Sequence, residues 1–369
     1  MNVQWESLAN DHILGIEPYE PGKPLEELER ELGIHGAIKL ASNENPLPPS
    51  PKVQRAIEGA LSQLNRYPDG SGFYLRQALA KKHGVSADHV VLGNGSNELI
   101  ELVVHSFVKP GDEAVVPHPS FLLYPTMVQA AGAIRVMVML KDSRLDLDAM
   151  ARAITPTTKL VFVANPNNPT GTIVTADEVE RFMSRVPERT IVIFDEAYME
   201  FALGPDFPDA LAYVKQGRKA VVLRTFSKAA SLAGLRVGYA IADADAVALM
   251  NRIRQPFSVN SLAQVAALAA LDDEGHTLEC VRMIEAGRHF LYDGFTQLGL
   301  RYVPSRANFV LVDVGRNAAA IYQRLLRAGV IVRLLTAFGM ETALRVSIGT
   351  PEENRRLIKA LQAALAGSA

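Results

Sequence analysis

Residues 225–236, Thr-Phe-Ser-Lys-Ala-Ala-Ser-Leu-Ala-Gly-Leu-Arg, set Lys228 and Arg236 among small residues directly after an apolar run. A lysine amine condenses with an aldehyde, and desolvation or a neighbouring cation lowers its pKa toward the nucleophilic neutral form. Arg236 is such a cation and also an anion ligand, and Ser227 adds a hydroxyl. Upstream, the apolar run Ile191-Val-Ile-Phe194 ends in Asp195, with Tyr198 three residues on. A carboxylate closing a buried strand needs a partner. A protonated ring nitrogen would serve, and keeping it protonated makes the ring an electron sink. In isolation Asp195 reads as a helix cap or structural ion pair; with Lys228 downstream, the chemical reading dominates. In Asn165-Pro-Asn-Asn-Pro-Thr-Gly171, Asn168 joins Tyr198 as a group able to hydrogen-bond a ring hydroxyl and stabilise its anion.

Such a ring would need an anchor. Gly93-Asn-Gly-Ser-Asn-Glu98 follows a strand and enters a helix, so free N–H groups near Ser96 and Asn97 can hold a phosphate. The segment lacks both the full Gly-x-Gly-x-x-Gly dinucleotide pattern and the Gly-Lys-Ser/Thr ending of a nucleoside-triphosphate loop, so a small monophosphate fits better than either. Phe121, between Pro119 and Tyr124, can stack on a ring or simply pack in the core. Arg345, in Leu344-Arg-Val-Ser-Ile-Gly-Thr350, suits a substrate carboxylate through a paired planar contact. Arg333, ending Val330-Ile-Val, is the natural helper for a larger anion such as phosphate, and Asn308 begins an apolar strand or sits in a turn.

These groups fall at the ends of alternating elements. Short apolar runs at 90–92, 113–116, 134–140, 159–164, 190–194, 220–224 and 237–242 alternate with helical patterns, among them 97–107, 121–131, 147–154 and 177–184. This predicts an α/β fold with a mostly parallel sheet covered on both faces, in which ligands collect at the carboxyl ends of strands. Helical patterns at 52–64 and 74–83 precede the sheet, and 262–271 and 274–298 lead out of it. Strand and helix patterns from 301 to 365 form a smaller α/β group. Residues 1–45 hold Pro18, Pro21 and Pro24 and few long apolar stretches, which predicts an extended arm lying on another surface rather than an autonomous domain.

Composition limits the alternatives. A chain of 369 residues exceeds one ordinary core, and 48% hydrophobic with 21% charged residues is that of a globular protein. A net charge of -2 gives no global attraction for nucleic acid or an acidic membrane surface. Cys280 is the only cysteine, and no Cys/His spacing suggests a metal site. With no leader-like or membrane-length apolar segment in view, the cytoplasm is the expected location.

Taken together, Asn165–Gly171, Asp195-Glu-Ala-Tyr198, Ser227-Lys228, Gly234-Leu-Arg236 and Leu344–Thr350 resemble the fold-type I pyridoxal-phosphate enzymes of the aspartate aminotransferase superfamily. The likeness spans nearly the whole chain, including Lys39-Leu-Ala-Ser-Asn-Glu-Asn-Pro46 and Asn65-Arg-Tyr-Pro68, and is strongest to the histidinol-phosphate aminotransferase branch. The resemblance implies a large cofactor-binding domain over 46–275 with a mostly parallel seven-stranded sheet, a small domain over 276–369 led by a long helix, and an arm over 1–45 packed on the small domain and a dimer partner.

It further implies pyridoxal 5'-phosphate as cofactor, with Lys228 as its covalent holder and proton shuttle, Asp195 at the ring nitrogen, and Asn168 and Tyr198 at the ring oxygen. Phe121 would stack on the ring where relatives often have tyrosine, and Ser96, Asn97, Ser227 and Arg236 would hold the phosphate. Tyr67 would reach the phosphate in the neighbouring subunit of a homodimer with composite sites. Arg333 and Arg345 would contact substrate phosphate and carboxylate, with Asn308 nearby and Tyr19 of the arm closing the pocket. The implied reaction is ping-pong transamination between L-histidinol phosphate and 2-oxoglutarate, without metal. An aromatic-amino-acid aminotransferase and a threonine-phosphate decarboxylase share these parts and remain as alternatives.

Overall fold

The computed structural model describes residues 4–18, 22–315 and 317–367. Its strands, in chain order, are β1 (Ile38–Leu40), β2 (Val90–Gly93), β3 (Glu113–His118), β4 (Ile134–Met139), β5 (Thr158–Ala164), β6 (Ile191–Asp195), β7 (Ala220–Thr225), β8 (Gly238–Ile241), β9 (Arg301–Val303), β10 (Phe309–Asp313), β11 (Val330–Leu334) and β12 (Ala343–Ser347). They form two sheets.

The larger sheet has seven strands in the order β2-β8-β7-β6-β5-β3-β4. The neighbours from β7 to β4 pair parallel, whereas β8 runs antiparallel to both β7 and β2. The mostly parallel sheet expected from the short apolar runs is therefore present, and continuous runs such as Leu160–Val163 are buried because helices cover both faces. The carboxyl ends of β2, β3, β5, β6 and β7 lie on one edge, where the polar motifs begin. At the sheet's margin β4 alternates between partly buried and exposed positions, with Ile134, Met137 and Met139 facing outward.

Helix Gly95–Phe107 buries Leu99, Ile100, Leu102, Val103 and Val104 against this sheet. The long helix Glu274–Gln297 buries Cys280, Ile284, Arg288, Leu291 and Phe295, a spacing of three to four residues that keeps one stripe facing inward. Gly294 belongs to that stripe, and a Cβ there would come 2.6 Å from Ile358 Cδ1, so its absence lets helix Pro351–Ala366 pack closely.

The smaller sheet has the order β1-β11-β12-β10-β9. Its far-upstream member is β1, which pairs parallel with β11 from Ile38↔Val330 to Leu40↔Val332. The arm is therefore not uniformly extended. Helix Leu25–Leu32 precedes β1 and inserts Leu28 beside Ala41, Leu326 and Ile331. Helices Ala210–Lys215 and Ala244–Ile253 are two further additions to the sequence-based element order. The expected helix over 52–64 is shorter, ending at Ala60 and tightening into a 3₁₀ turn over Leu61–Gln63. Among the described residues, no helix is long and apolar enough to cross a membrane, and no group of three or more His, Cys, Asp or Glu could hold a metal ion.

Candidate active site

A pocket of about 260 Å³ opens at the carboxyl ends of the large sheet's strands. It gathers Ser96, Asn97, Phe121, Asn168, Asp195, Tyr198, Ser227, Lys228, Arg236 and Arg345. Ten of the expected positions, scattered over 250 residues of sequence, thus share one wall.

Lys228 follows β7, and its Nζ donates to Ser42 O at 3.3 Å and lies 5.5 Å from the centroid of the Tyr198 ring. Burial, with Arg345 and then Arg236 nearby, pushes its amine down to about 7 against the opposing pull of Glu44 and Asp195. A large fraction of the neutral nucleophile is therefore present near neutral pH. Asp195 ends β6, is 7% exposed, and accepts from Tyr124 Oη at 2.6 Å and from the Ala197 N–H at 3.2 Å. Burial nevertheless raises its carboxyl above the ordinary range, the signature of an anion short of a cation. Tyr124, stacked on Phe162 with ring centroids 4.6 Å apart, is the fixed donor that sequence reasoning left without a role. Its place three residues after Phe121 was the only hint.

The anion end is built from backbone geometry. The first turn of helix Gly95–Phe107 carries no side-chain cap, and Ser96 and Asn97 line the pocket there. Gly95 has φ +75°, and a Cβ on it would lie 2.4 Å from Arg236 Nη2. The missing side chain is what lets the guanidinium approach the helix N-terminus. Arg236 Nη1 donates to Ser227 Oγ at 3.3 Å, and Thr225 Oγ1 donates to the same oxygen at 3.0 Å. With two donors on it, Ser227 Oγ is oriented to give its own proton elsewhere. A helix N-terminus, a guanidinium and a hydroxyl donor make a site for a dianionic phosphate.

Arg345, 5% exposed on β12, donates from Nη1 to Asn168 Oδ1 at 2.5 Å and from Nη2 to Ala41 O at 2.7 Å. Accepting through Oδ1 commits the Asn168 amide nitrogen to donation. Arg333 does not line this pocket, but it is the direct cross-strand partner of Arg345 in the β11–β12 ladder, so the two project from one face. Asn308 also stands behind the wall: it is fully buried, and its Nδ2 donates to Asn43 O at 3.0 Å. Tyr67 lies away from the pocket, 82% exposed and stacked on Phe257 at 4.7 Å. Tyr19 falls outside the described residues. The wall also includes Ser42 and Asn43, from a motif that had carried resemblance but no assigned role.

The donor set suits pyridoxal 5'-phosphate: an amine for the aldehyde, a buried carboxylate for the ring nitrogen, donors for the ring oxygen, and an anion cradle for the phosphate. The comparisons agree. Residues 35–361 match the model of the aminotransferase class I and II family, and the chain belongs to that family. It is 48% identical over 359 residues to a histidinol-phosphate aminotransferase of Moorella thermoacetica, covering 97% of this chain and 93% of that one. It is 50% identical to histidinol-phosphate aminotransferase 2 of Pseudomonas aeruginosa, covering 98% of each. Among solved structures, the Sinorhizobium meliloti histidinol-phosphate aminotransferase in complex with pyridoxal-5'-phosphate superposes with a TM-score of 0.90 at 30% identity, covering 98% of this chain and 99% of that one. A Thermus thermophilus aspartate aminotransferase mutant superposes at 0.84 with 27% identity, covering 96% and 99%.

Proposed function

We propose that this chain is a pyridoxal 5'-phosphate-dependent transaminase that moves the amino group of L-histidinol phosphate to 2-oxoglutarate, giving imidazole acetol phosphate and L-glutamate in histidine biosynthesis. The observation that carries the reading is the convergence of Lys228, Asp195 and the Ser96–Asn97–Ser227–Arg236 anion cradle on one pocket, in a chain with near full-length relatives of that name. When bound, the cofactor supplies an electron sink for the electrons released at the donor's α-carbon.

The chain's own groups do the rest. Lys228 Nζ would hold the cofactor aldehyde and, once released as the free neutral amine, would take the α-proton and return it. Asp195, backed by Tyr124, would keep the ring nitrogen protonated. Asn168 and Tyr198 would donate to the ring oxygen, and Phe121 would cover a ring face. Arg345 releases Asn168 or Ala41 to pair with a substrate carboxylate, and Arg333, from the same face, meets the donor's phosphate. Asn308 supports this wall through Asn43. We place the arm at 1–45, the large domain at 46–275 and the small domain at 276–369. Exposed Tyr67 fits a homodimer in which it completes the neighbour's phosphate site, and a cytoplasmic location agrees with a single, buried cysteine.

The test compares kcat/KM for histidinol phosphate and phenylalanine as donors to 2-oxoglutarate. A ratio above about 100, roughly 2.7 kcal/mol of transition-state discrimination, supports the assignment. A comparable or reversed ratio makes the enzyme an aromatic or broad aminotransferase, and carbon dioxide release from a phosphorylated amino acid would mark a decarboxylase.

A further inference from the structure

Asn43 occupies an unusual place. It is 1% exposed, has φ +54°, and joins the two sheets at the site. Its backbone N–H donates to Ser347 Oγ at 2.8 Å, and Ser347 Oγ in turn reaches Asn43 Oδ1 at 3.2 Å. A serine hydroxyl that accepts the backbone N–H has its one proton left for Oδ1. That exchange fixes which end of the Asn43 amide is which, and its Nδ2 then donates to Tyr198 Oη at 3.0 Å. The backbone oxygen of Asn43 meanwhile accepts from Asn308 Nδ2 at 3.0 Å. Ser347 ends β12 and Asn308 precedes β10, so both anchors belong to the small sheet, while Tyr198 follows β6 of the large one.

We propose that Asn43 is a positioning residue for Tyr198. By filling an acceptor site of the phenol oxygen from a locked direction, it turns the Tyr198 proton away from itself and toward the pocket, where a ring oxygen needs a donor. The seat of the small sheet, transmitted through Ser347 and Asn308, thereby sets the donor that tunes the cofactor. The left-handed backbone explains why asparagine suits the position: it tolerates φ > 0 and carries both an acceptor for Ser347 and a donor for Tyr198.

This inference rests on the cofactor reading above, and its test separates the two. The pH midpoint of the bound cofactor's visible absorbance is measured in the wild-type holoenzyme, Tyr198→Phe, Asn43→Gly, Asn43→Asp, and the Tyr198→Phe/Asn43→Gly double variant. Glycine keeps the left-handed backbone while deleting the amide. Asn43→Asp is isosteric but accepts from Tyr198, pulling its proton away from the pocket. Both Asn43 variants are expected to move the midpoint in the same direction as Tyr198→Phe, by about 0.5 to 1 pH unit for one lost hydrogen bond. The double variant should move it no further than Tyr198→Phe alone. A wild-type midpoint in the Asn43 variants, or an additive shift in the double variant, overturns the proposal. Should Asn43→Gly fail to fold, Ser347→Ala keeps Asn43 but unlocks its amide, and a wild-type midpoint there overturns it equally. Absence of cofactor absorbance from the wild type would instead sink the functional reading and this inference with it.

Discussion

Lys228 shows how one residue's chemistry arises from its surroundings. Its amine is lowered to about 7 by burial and by Arg345 and Arg236. Because the folded pKa lies below the ordinary lysine value, the neutral fraction rises as pH climbs through about 7 and levels off above it. Capture of pyridoxal 5'-phosphate by apoenzyme, followed by absorbance, should therefore accelerate with that profile. A rate still climbing in proportion to hydroxide up to pH 10 would contradict it. Lys228→Ala should abolish both the covalent chromophore and nearly all turnover, and full activity in that variant would defeat the assignment. The type and order of Lys228, Asp195, Tyr198 and Arg236 were legible in the sequence because each sits at or close to the boundary of an apolar run. Tyr124 was not, since nothing local says that a tyrosine in helix Leu123–Ala130 will meet a carboxylate 71 residues away.

At the scale of elements, the anion site depends on a helix start rather than on any one side chain. Replacing Gly95 with alanine places a Cβ 2.4 Å from Arg236 Nη2 and forces an L-residue to φ +75°, a strain of about 1–2 kcal/mol before the guanidinium is displaced. Cofactor affinity, measured by fluorescence titration, should fall about tenfold or more; unchanged affinity would show that the helix terminus and Arg236 do not act together. Thr350→Ala offers a contrast. It removes the capping box at the start of helix Pro351–Ala366, in which Thr350 and Glu353 satisfy each other's backbone donors, and should cost about 1 kcal/mol of stability with little change in affinity. Thermal denaturation reads the difference. The sequence announced most of the alternating strands and helices. It gave no sign of helix Leu25–Leu32 within the arm, where Leu28 earns its burial only against Leu326 and Ile331.

Across the whole molecule, the two sheets contribute different halves of the site. The large sheet presents Lys228 and Asp195, while β12 of the small sheet brings Arg345 to Asn168. Arg333→Ala should reduce kcat/KM for a phosphorylated donor by a charged hydrogen bond's worth, roughly 2–5 kcal/mol, and spare phenylalanine. An equal loss for both donors would remove its phosphate role. If Tyr67 completes a neighbour's site, mixing and refolding inactive Lys228→Ala with Tyr67→Ala chains should restore activity toward about a quarter of wild type, since half the dimers are hybrids with one intact site. No recovery would argue for self-contained subunits.

What the sequence by itself determined is the set of groups: an amine, a strand-end carboxylate, a glycine-flanked helix start and a pair of arginines, each written into a local pattern of apolar runs, glycines and polar ends. What only the tertiary structure decided is how the segments meet. The parallel β1–β11 pairing draws Ser42 and Asn43 to the pocket, the β11–β12 register sets Arg333 opposite Arg345, and Asn43 reaches from Ser347 to Tyr198. Local patterns fix which backbone dihedrals are cheap. Contacts between residues hundreds of positions apart depend on which surfaces bury one another, and that is settled only when the two sheets pack.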